Sequence, residues 1–85
     1  MKNIQYTMGN EYIIISQNRI QSRTYKVNKI TIGRMSADTG KTLVFSTEAG
    51  IKRIRKRTIT KMIDISGVSI AQTQFLIDCI KAVLV

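Results

Sequence analysis

Positively charged side chains are concentrated in the segment from residue 52 to residue 57, which reads KRIRKR. Five of these six residues are cationic, so neighbouring side chains repel one another unless an anion is bound. A row of phosphates relieves the repulsion and releases condensed counterions, and the arginine fork matches phosphate oxygens. The segment therefore predicts a nucleic-acid-binding surface, which we call the basic cluster. Its residues are Lys52, Arg53, Arg55, Lys56 and Arg57, with Lys61 just beyond it.

A second basic group lies earlier in the chain, where Arg19, Arg23 and Tyr25 occupy alternate positions. In an extended strand, alternate side chains point to one face, so these three residues are predicted to share a surface. An aromatic ring among cations is typical of single-strand binders, because the ring stacks on a base while the cations hold the backbone. The pattern favours single-stranded DNA or RNA as the partner. Packing at the edge of the core is an equally open role for Tyr25.

Few side chains are suited to catalysis. The chain has no histidine, and its five acidic residues are far apart in sequence, so no general base is indicated. Its single cysteine, Cys79, has no second thiol or imidazole with which to build a zinc site. Residues 33–42 end in Gly-Lys-Thr but have six residues between the glycines, where a P-loop needs four. We therefore predict a protein that is not an enzyme and has no cofactor, metal or small-molecule substrate.

The overall charge also favours a polyanionic partner. The 85 residues include 14 Lys and Arg against 5 Asp and Glu, a formal net charge of +9 at pH 7. That excess costs self-repulsion, and nucleic acid is the polyanion that the clustering favours. The length predicts one domain over residues 1–85.

The cellular location of the protein is predicted from its cysteine and from its apolar segments. A lone cysteine favours a reducing environment. Residues 1–9 lack the apolar core of a signal peptide, and the apolar stretch 75–85 is too short to cross a bilayer. We expect no membrane partner and a location in the cytoplasm or inside a virus particle.

The elements that position these residues are predicted from periodicity. Isoleucine, threonine and tyrosine are frequent and favour strands, which we expect within residues 4–7, 11–16, 19–27, 29–35, 41–46 and 58–65. Turns are expected at Gly9-Asn10, Gln17-Asn18, Asn28, 36–40 and Ala49-Gly50. Alternation places Ile59, Ile63 and Ile65 on one face. Residues 51–57 fit either a helical turn or an extended ribbon, and the ribbon is favoured.

The C-terminal segment has a helical period. Ser69 followed by Gln72 has the form of a capping box, and Leu76, Cys79, Ile80 and Val83 recur at steps of three and four residues. The predicted fold is therefore α+β, with a small antiparallel sheet of four to six strands followed by one amphipathic helix. Further apolar residues widen the helix face, so we expect either that the sheet covers it or that a homodimer forms through it.

The junction from Val68 to Phe75, which reads VSIAQTQF, resembles that of the positive-cofactor coactivator and Whirly-like single-stranded DNA-binding family. In that family an apolar-Ser-apolar strand end leads into a helix with Gln and an aromatic residue at similar spacing. The resemblance implies a β-meander, one helix through which subunits pair, and DNA contacts from the sheet. Here those contacts would come from Arg23, Tyr25 and the basic cluster.

Sequence analysis thus predicts a protein that binds single-stranded nucleic acid with little sequence specificity, as a homodimer. Two alternatives remain open. One is a small structural or assembly protein of a virus or mobile element, whose basic face lines a packaged genome. The other is a regulator that binds an acidic protein partner.

Overall fold

The computed structural model describes residues 5–19 and 26–84. Its elements in chain order are strands β1 (Glu11–Arg19), β2 (Lys26–Asp38), β3 (Thr42–Thr47) and β4 (Gly50–Arg55), a short 3₁₀ helix (Lys56–Thr58), strand β5 (Ile59–Asp64) and helix α1 (Ile70–Leu84). The strands form one antiparallel sheet in the order β4-β3-β2-β1-β5. The predicted α+β fold, with an antiparallel sheet and a C-terminal helix, is confirmed.

The apolar run in β1 lies at the centre of this arrangement. Strand β1 pairs with β2 on one side and with β5 on the other. Its residues Tyr12, Ile13, Ile14 and Ile15 are all buried, although successive side chains of a strand point to opposite faces. Both faces of β1 are therefore covered, which explains why its sequence does not alternate between apolar and polar residues.

The connection between β4 and β5 requires the sheet to curl. These strands are the two edges of the sheet, and four spacings of about 4.8 Å would separate them by about 19 Å in a flat sheet. The linking 3₁₀ helix has three residues and advances about 2 Å per residue. It is too short to connect the edges of a flat sheet. The sheet therefore bends, giving it a concave and a convex face.

The concave face encloses the larger core cluster. Its buried residues come from β1, β2, β3 and β5, and they are Tyr12, Ile14, Met35, Leu43, Phe45 and Ile59. Close approach of β2 to β3 next to this cluster depends on Gly33. A Cβ atom there would lie 2.9 Å from Thr47 Cγ2 and 3.0 Å from the Ser46 carbonyl oxygen, so a larger residue would push the strands apart.

Helix α1 packs on the part of the convex face around Ile13 of β1. Ile77 of the helix is buried against Ile13 and Ile65, with Leu76 and Ile80 partly buried beside it. The Gln72 backbone N–H donates to Ser69 Oγ at 3.2 Å, which confirms the Ser69 half of the predicted capping box. Cys79 and Val83, which the periodicity placed on one stripe with Leu76 and Ile80, are exposed instead. A helix turns about 100° per residue, so Cys79 lies on the far side of α1 from Ile77.

Strand β5 contains an irregularity that overturns another prediction. Lys61 pairs with Ile15, but Ile59 pairs with the adjacent Ser16, so one residue is inserted between them. A bulge of this kind reverses which face the following side chains occupy. Ile59 therefore packs in the concave core, whereas Ile63 and Ile65 pack on the convex side. The prediction that all three isoleucines share a face is wrong.

Several predicted strand limits are also wrong. Residues 5–7 do not form a strand. Gln17 and Asn28 are paired with each other inside β1 and β2, although each was expected in a turn. Strand β2 continues to Asp38, through the first part of the expected polar loop. Backbone pairing with the neighbouring strand outweighs the local turn preference of these residues.

Candidate nucleic-acid interface

The basic cluster lies on an edge of the sheet and in the turn that follows. Residues 50–55 form the edge strand β4, and residues 56–58 form the 3₁₀ helix. The favoured extended ribbon is thus confirmed as far as Arg55. The side chains of Lys52, Arg53, Arg55 and Arg57 are exposed, and Lys56 is half-buried.

Arg53 and Arg55 point to the convex face. Between them, Ile54 pairs with Leu43 and packs against the concave core, so its two neighbours must point the opposite way. Arg53 pairs with Val44 and Arg55 with Thr42. The row of arginines on this face ends at Arg55, because the chain enters the 3₁₀ helix before Arg57.

Most of the cluster is electrostatically unbalanced. The ion pairs within residues 5–19 and 26–84 join Arg34 to Glu11 at 3.4 Å and Lys56 to Asp38 at 2.8 Å. In the same part of the chain, no carboxylate lies within 4.0 Å of the side-chain nitrogens of Lys52, Arg53, Arg55 or Arg57. Four neighbouring cations are therefore exposed with no ion-pair partner among the described residues, and this surface attracts anions.

Asp38 connects the cluster to the end of β2. Its carboxylate accepts hydrogen bonds from the Lys56 ammonium, the Tyr6 hydroxyl and the Gly40 backbone N–H, the last at 2.8 Å. These bonds, the Lys56 bond foremost, lower the pKa of Asp38 to about 2, and the same carboxylate raises the pKa of Lys56. Lys56 Nζ also lies 5.8 Å from the centre of the Tyr6 ring. Lys56 therefore mainly holds the 3₁₀ helix in place.

The low pKa of Asp38 makes stability depend on pH. Its value is about 2 in the folded protein against 3.8 for a free side chain. The ionised carboxylate therefore stabilises the fold above pH 4, and this contribution is lost as the pH falls from 4 towards 2. We expect Asp38→Asn to lower the urea midpoint at pH 7, with the difference from wild type shrinking towards pH 2. Asp78→Asn, which removes an α1 carboxylate, is the control. A difference between Asp38→Asn and wild type that is constant across pH would contradict this prediction.

A concavity with a volume of about 680 Å³ lies between the turn joining β2 to β3 and the end of β4. We call it the basic notch. Its lining residues are Gly40, Lys41, Thr42, Arg55, Lys56 and Arg57. The Lys56 backbone N–H donates to the Lys41 carbonyl oxygen at 2.9 Å, which holds the two walls together.

Lys41 was not identified from the sequence as a site residue. The register of the hairpin formed by β3 and β4 could have identified it. A tight turn at Ala49-Gly50 aligns β3 antiparallel to β4, so that Thr42 pairs with Arg55. Continuing the same register by one residue brings Lys41 beside Lys56. The predicted turn was therefore sufficient to place Lys41 next to the basic cluster.

Lys52 points to the face of β4 opposite to that of Arg53 and Arg55. It pairs with Phe45, so its side chain leaves β4 on the concave side. There it lines a depression of about 240 Å³ together with Lys29 and the buried residues Ser16 and Thr31. The basic surface thus continues from the convex row around the edge of the sheet.

Of the remaining predicted site residues, Arg19 and Lys61 lie on other strands than the basic cluster. Lys61 is exposed on β5, the opposite edge strand. Arg19 is the last residue of β1, and Arg23 and Tyr25 lie outside the described residues. Of the aromatic residues that the structure describes, Tyr12 and Phe45 are buried, Tyr6 is half-buried and Phe75 is exposed on α1. No described aromatic residue is therefore exposed on β4 for base stacking.

The arrangement is suited to holding anions. Over the ranges described, no three metal-ligating side chains come together, and no helix has the length and hydrophobicity needed to cross a membrane. The cluster presents exposed guanidinium and ammonium groups along an edge strand of the sheet. Comparison with family models, with curated proteins and with solved structures finds no match to this chain.

Proposed function

We propose that the protein binds nucleic acid, favouring single strands and with little sequence specificity, through the basic cluster. The observation that supports this most is the group of four exposed cations with no described carboxylate within 4.0 Å. Phosphate contacts made by such side chains position a strand without reading its sequence. The proposed preference for single strands depends on Tyr25 and on the resemblance of residues 68–75 described above.

The spacing of the cluster suits several phosphates rather than one. Arg53 and Arg55 are two residues apart on a strand, or about 6.8 Å, so each guanidinium has room for its own phosphate. Arg57 extends the surface past the end of β4, and Lys52 extends it onto the other face of the strand. Such a series of contacts supports a path for the sugar-phosphate backbone along the edge of the sheet.

The test is fluorescence anisotropy with labelled single-stranded and double-stranded oligonucleotides, titrated over a series of salt concentrations. We expect tighter binding of the single strand. If all four unpaired cations contact phosphates, the slope of log K against log salt should be about −3 for the single strand. Absence of binding at low salt would overturn the proposal.

The same experiment separates the two alternatives. A structural or assembly protein is expected to form a large oligomer on size-exclusion chromatography and to bind free oligonucleotides weakly. A regulator of an acidic protein is expected to bind heparin as tightly as nucleic acid, because only charge density matters to it. Competition between heparin and the labelled oligonucleotide measures this difference directly.

We further propose that two copies pair through the exposed side of α1. Phe75, Cys79 and Val83 follow one another at steps of four residues and so form one stripe. Phe75 is 67% exposed, Val83 is 82% exposed and Cys79 is exposed. A continuous apolar stripe of this kind is typical of a helix that packs against another helix, and a second copy provides a matching surface.

Dimer formation is tested by sedimentation equilibrium with Phe75→Arg. We expect wild type to dimerise and the variant to be monomeric, because the substitution places two charges in the centre of the interface. Gln74→Arg adds the same charge on the polar side of α1 and should leave the dimer intact. A monomeric wild type at high micromolar concentration would exclude the dimer without affecting the nucleic-acid proposal.

A further inference from the structure

We infer that the basic notch binds a terminal phosphate, that is, a phosphomonoester dianion at the end of a nucleic-acid strand. This inference rests on the proposed function and adds to it a separate subsite. On β4, Arg53 would hold internal phosphodiesters, and Arg55 at the end of the strand belongs to the notch. The notch at the end of β4 would hold the chain end.

The two walls of the notch are fixed relative to one another before any ligand binds. Asp38 accepts hydrogen bonds from Gly40 in the first wall, at 2.8 Å, and from Lys56 in the second, at 3.0 Å. The turn of the first wall is closed by Thr39, whose backbone N–H and hydroxyl both donate to the Thr42 carbonyl oxygen. A preorganised pocket loses little entropy when it binds a ligand.

The charge in the notch matches a dianion. Lys41, Arg55, Lys56 and Arg57 line it, and Asp38 balances Lys56. The other three are exposed, and within the described ranges no carboxylate lies within 4.0 Å of their side-chain nitrogens. A phosphomonoester carries a charge of about −1.5 to −2 at pH 7, whereas an internal diester carries a single charge. Three converging cations therefore gain more from a chain end than from an internal phosphate.

The lining also indicates which part of a nucleotide is recognised. The six lining residues include no aromatic or branched aliphatic side chain, so the notch offers no surface on which a base would stack. The volume of about 680 Å³ leaves room for a phosphate and the sugar next to it. Recognition is therefore expected to depend on the phosphate and to be independent of the terminal base.

The test compares three oligonucleotides of one sequence, carrying a 5′-phosphate, a 3′-phosphate or no terminal phosphate. We expect one of the phosphorylated forms to bind about tenfold more tightly than the unphosphorylated form, from the added charge-assisted hydrogen bonds. Lys41→Ala and Arg57→Ala should each remove this preference, and Lys41→Arg should retain it. Arg53→Ala is the matched control, since it should weaken all three oligonucleotides by the same factor.

Equal affinities for the three oligonucleotides would overturn the inference while leaving the proposed function standing. A preference that survives both Lys41→Ala and Arg57→Ala would overturn it as well. If no oligonucleotide binds, titration with AMP followed by amide chemical shifts decides the matter. Shifts at Gly40, Lys41 and Thr42 that are absent in Arg57→Ala would support a phosphomonoester site, and no shifts would exclude it. AMP competing with the phosphorylated oligonucleotide would show whether a free nucleotide suffices.

Discussion

Combined replacement of Arg53, Arg55 and Arg57 by alanine is expected to weaken binding to single-stranded oligonucleotides about 100-fold at low salt. Each exposed arginine contributes about 1 kcal/mol through a charge-assisted contact, and about 3 kcal/mol corresponds to two orders of magnitude in affinity. The slope of log K against log salt should also become about two units less negative, since three counterion-releasing contacts are lost. Anisotropy titrations at several salt concentrations measure both quantities.

Arg34→Ala provides the matched control for these arginines. Arg34 also lies on the sheet, but its guanidinium is 3.4 Å from Glu11, so its charge is already balanced. We expect this variant to bind oligonucleotides nearly as wild type does. The three cluster arginines are exposed, and the triple variant should keep its far-UV circular dichroism spectrum. A folded triple variant with undiminished affinity would show that the cluster is not the binding surface.

Replacement of Phe45 by alanine is expected to destabilise the fold by about 3–5 kcal/mol. The Phe45 side chain is fully buried in the concave core. Its removal therefore leaves a cavity that no neighbouring element can fill. A domain of this size has only about 5–10 kcal/mol of total stability. The variant should therefore unfold at a much lower urea concentration, and a large part of it should be unfolded at 37 °C.

Phe75→Ala tests whether burial of the phenyl ring is the cause of the loss of stability expected for Phe45→Ala. It is the same chemical change at a side chain that is 67% exposed. We expect it to shift stability by less than about 0.5 kcal/mol, provided that unfolding is measured at a protein concentration low enough to keep the chain monomeric. Similar losses for the two variants would mean that the buried cluster does not dominate stability.

The parts of the fold that were predictable from sequence are those with a strong local cause. Strand β1 carries an unbroken run of aromatic and β-branched residues, which favour strands. The Ser69 cap marks the start of α1 within one residue. The turn at Ala49-Gly50 allows a positive φ at Gly50 and so places the hairpin of β3 and β4. In each case the information lies within a few adjacent residues.

The parts that were not predictable depend on residues distant in sequence. The bulge beside Thr60 is set by the pairing of β5 with β1, which is more than 40 residues earlier in the chain. Gln17 and Asn28 are held in strands by each other. The side of α1 that is buried depends on how the helix rests on Ile13 and Ile65, and this is why Cys79 was placed on the wrong side.

The candidate site follows the same division. The charge of residues 52–57 is evident from the sequence, and it is sufficient to predict that this segment binds anions. Pairing of Lys56 with Asp38 is not, because it depends on the end of β2 meeting the 3₁₀ helix. That contact divides the cluster into one cation with a structural role and four that are unpaired among the described residues.

The position of the cluster on the edge strand β4 has a consequence for the colloidal behaviour of the protein. An exposed strand edge is a template for pairing with another chain, and like charges on it keep copies apart. Phosphates that neutralise Arg53 and Arg55 also remove that repulsion. Solubility should therefore be lowest near the mixing ratio at which nucleic acid and protein charges cancel, and it should recover when either component is in excess.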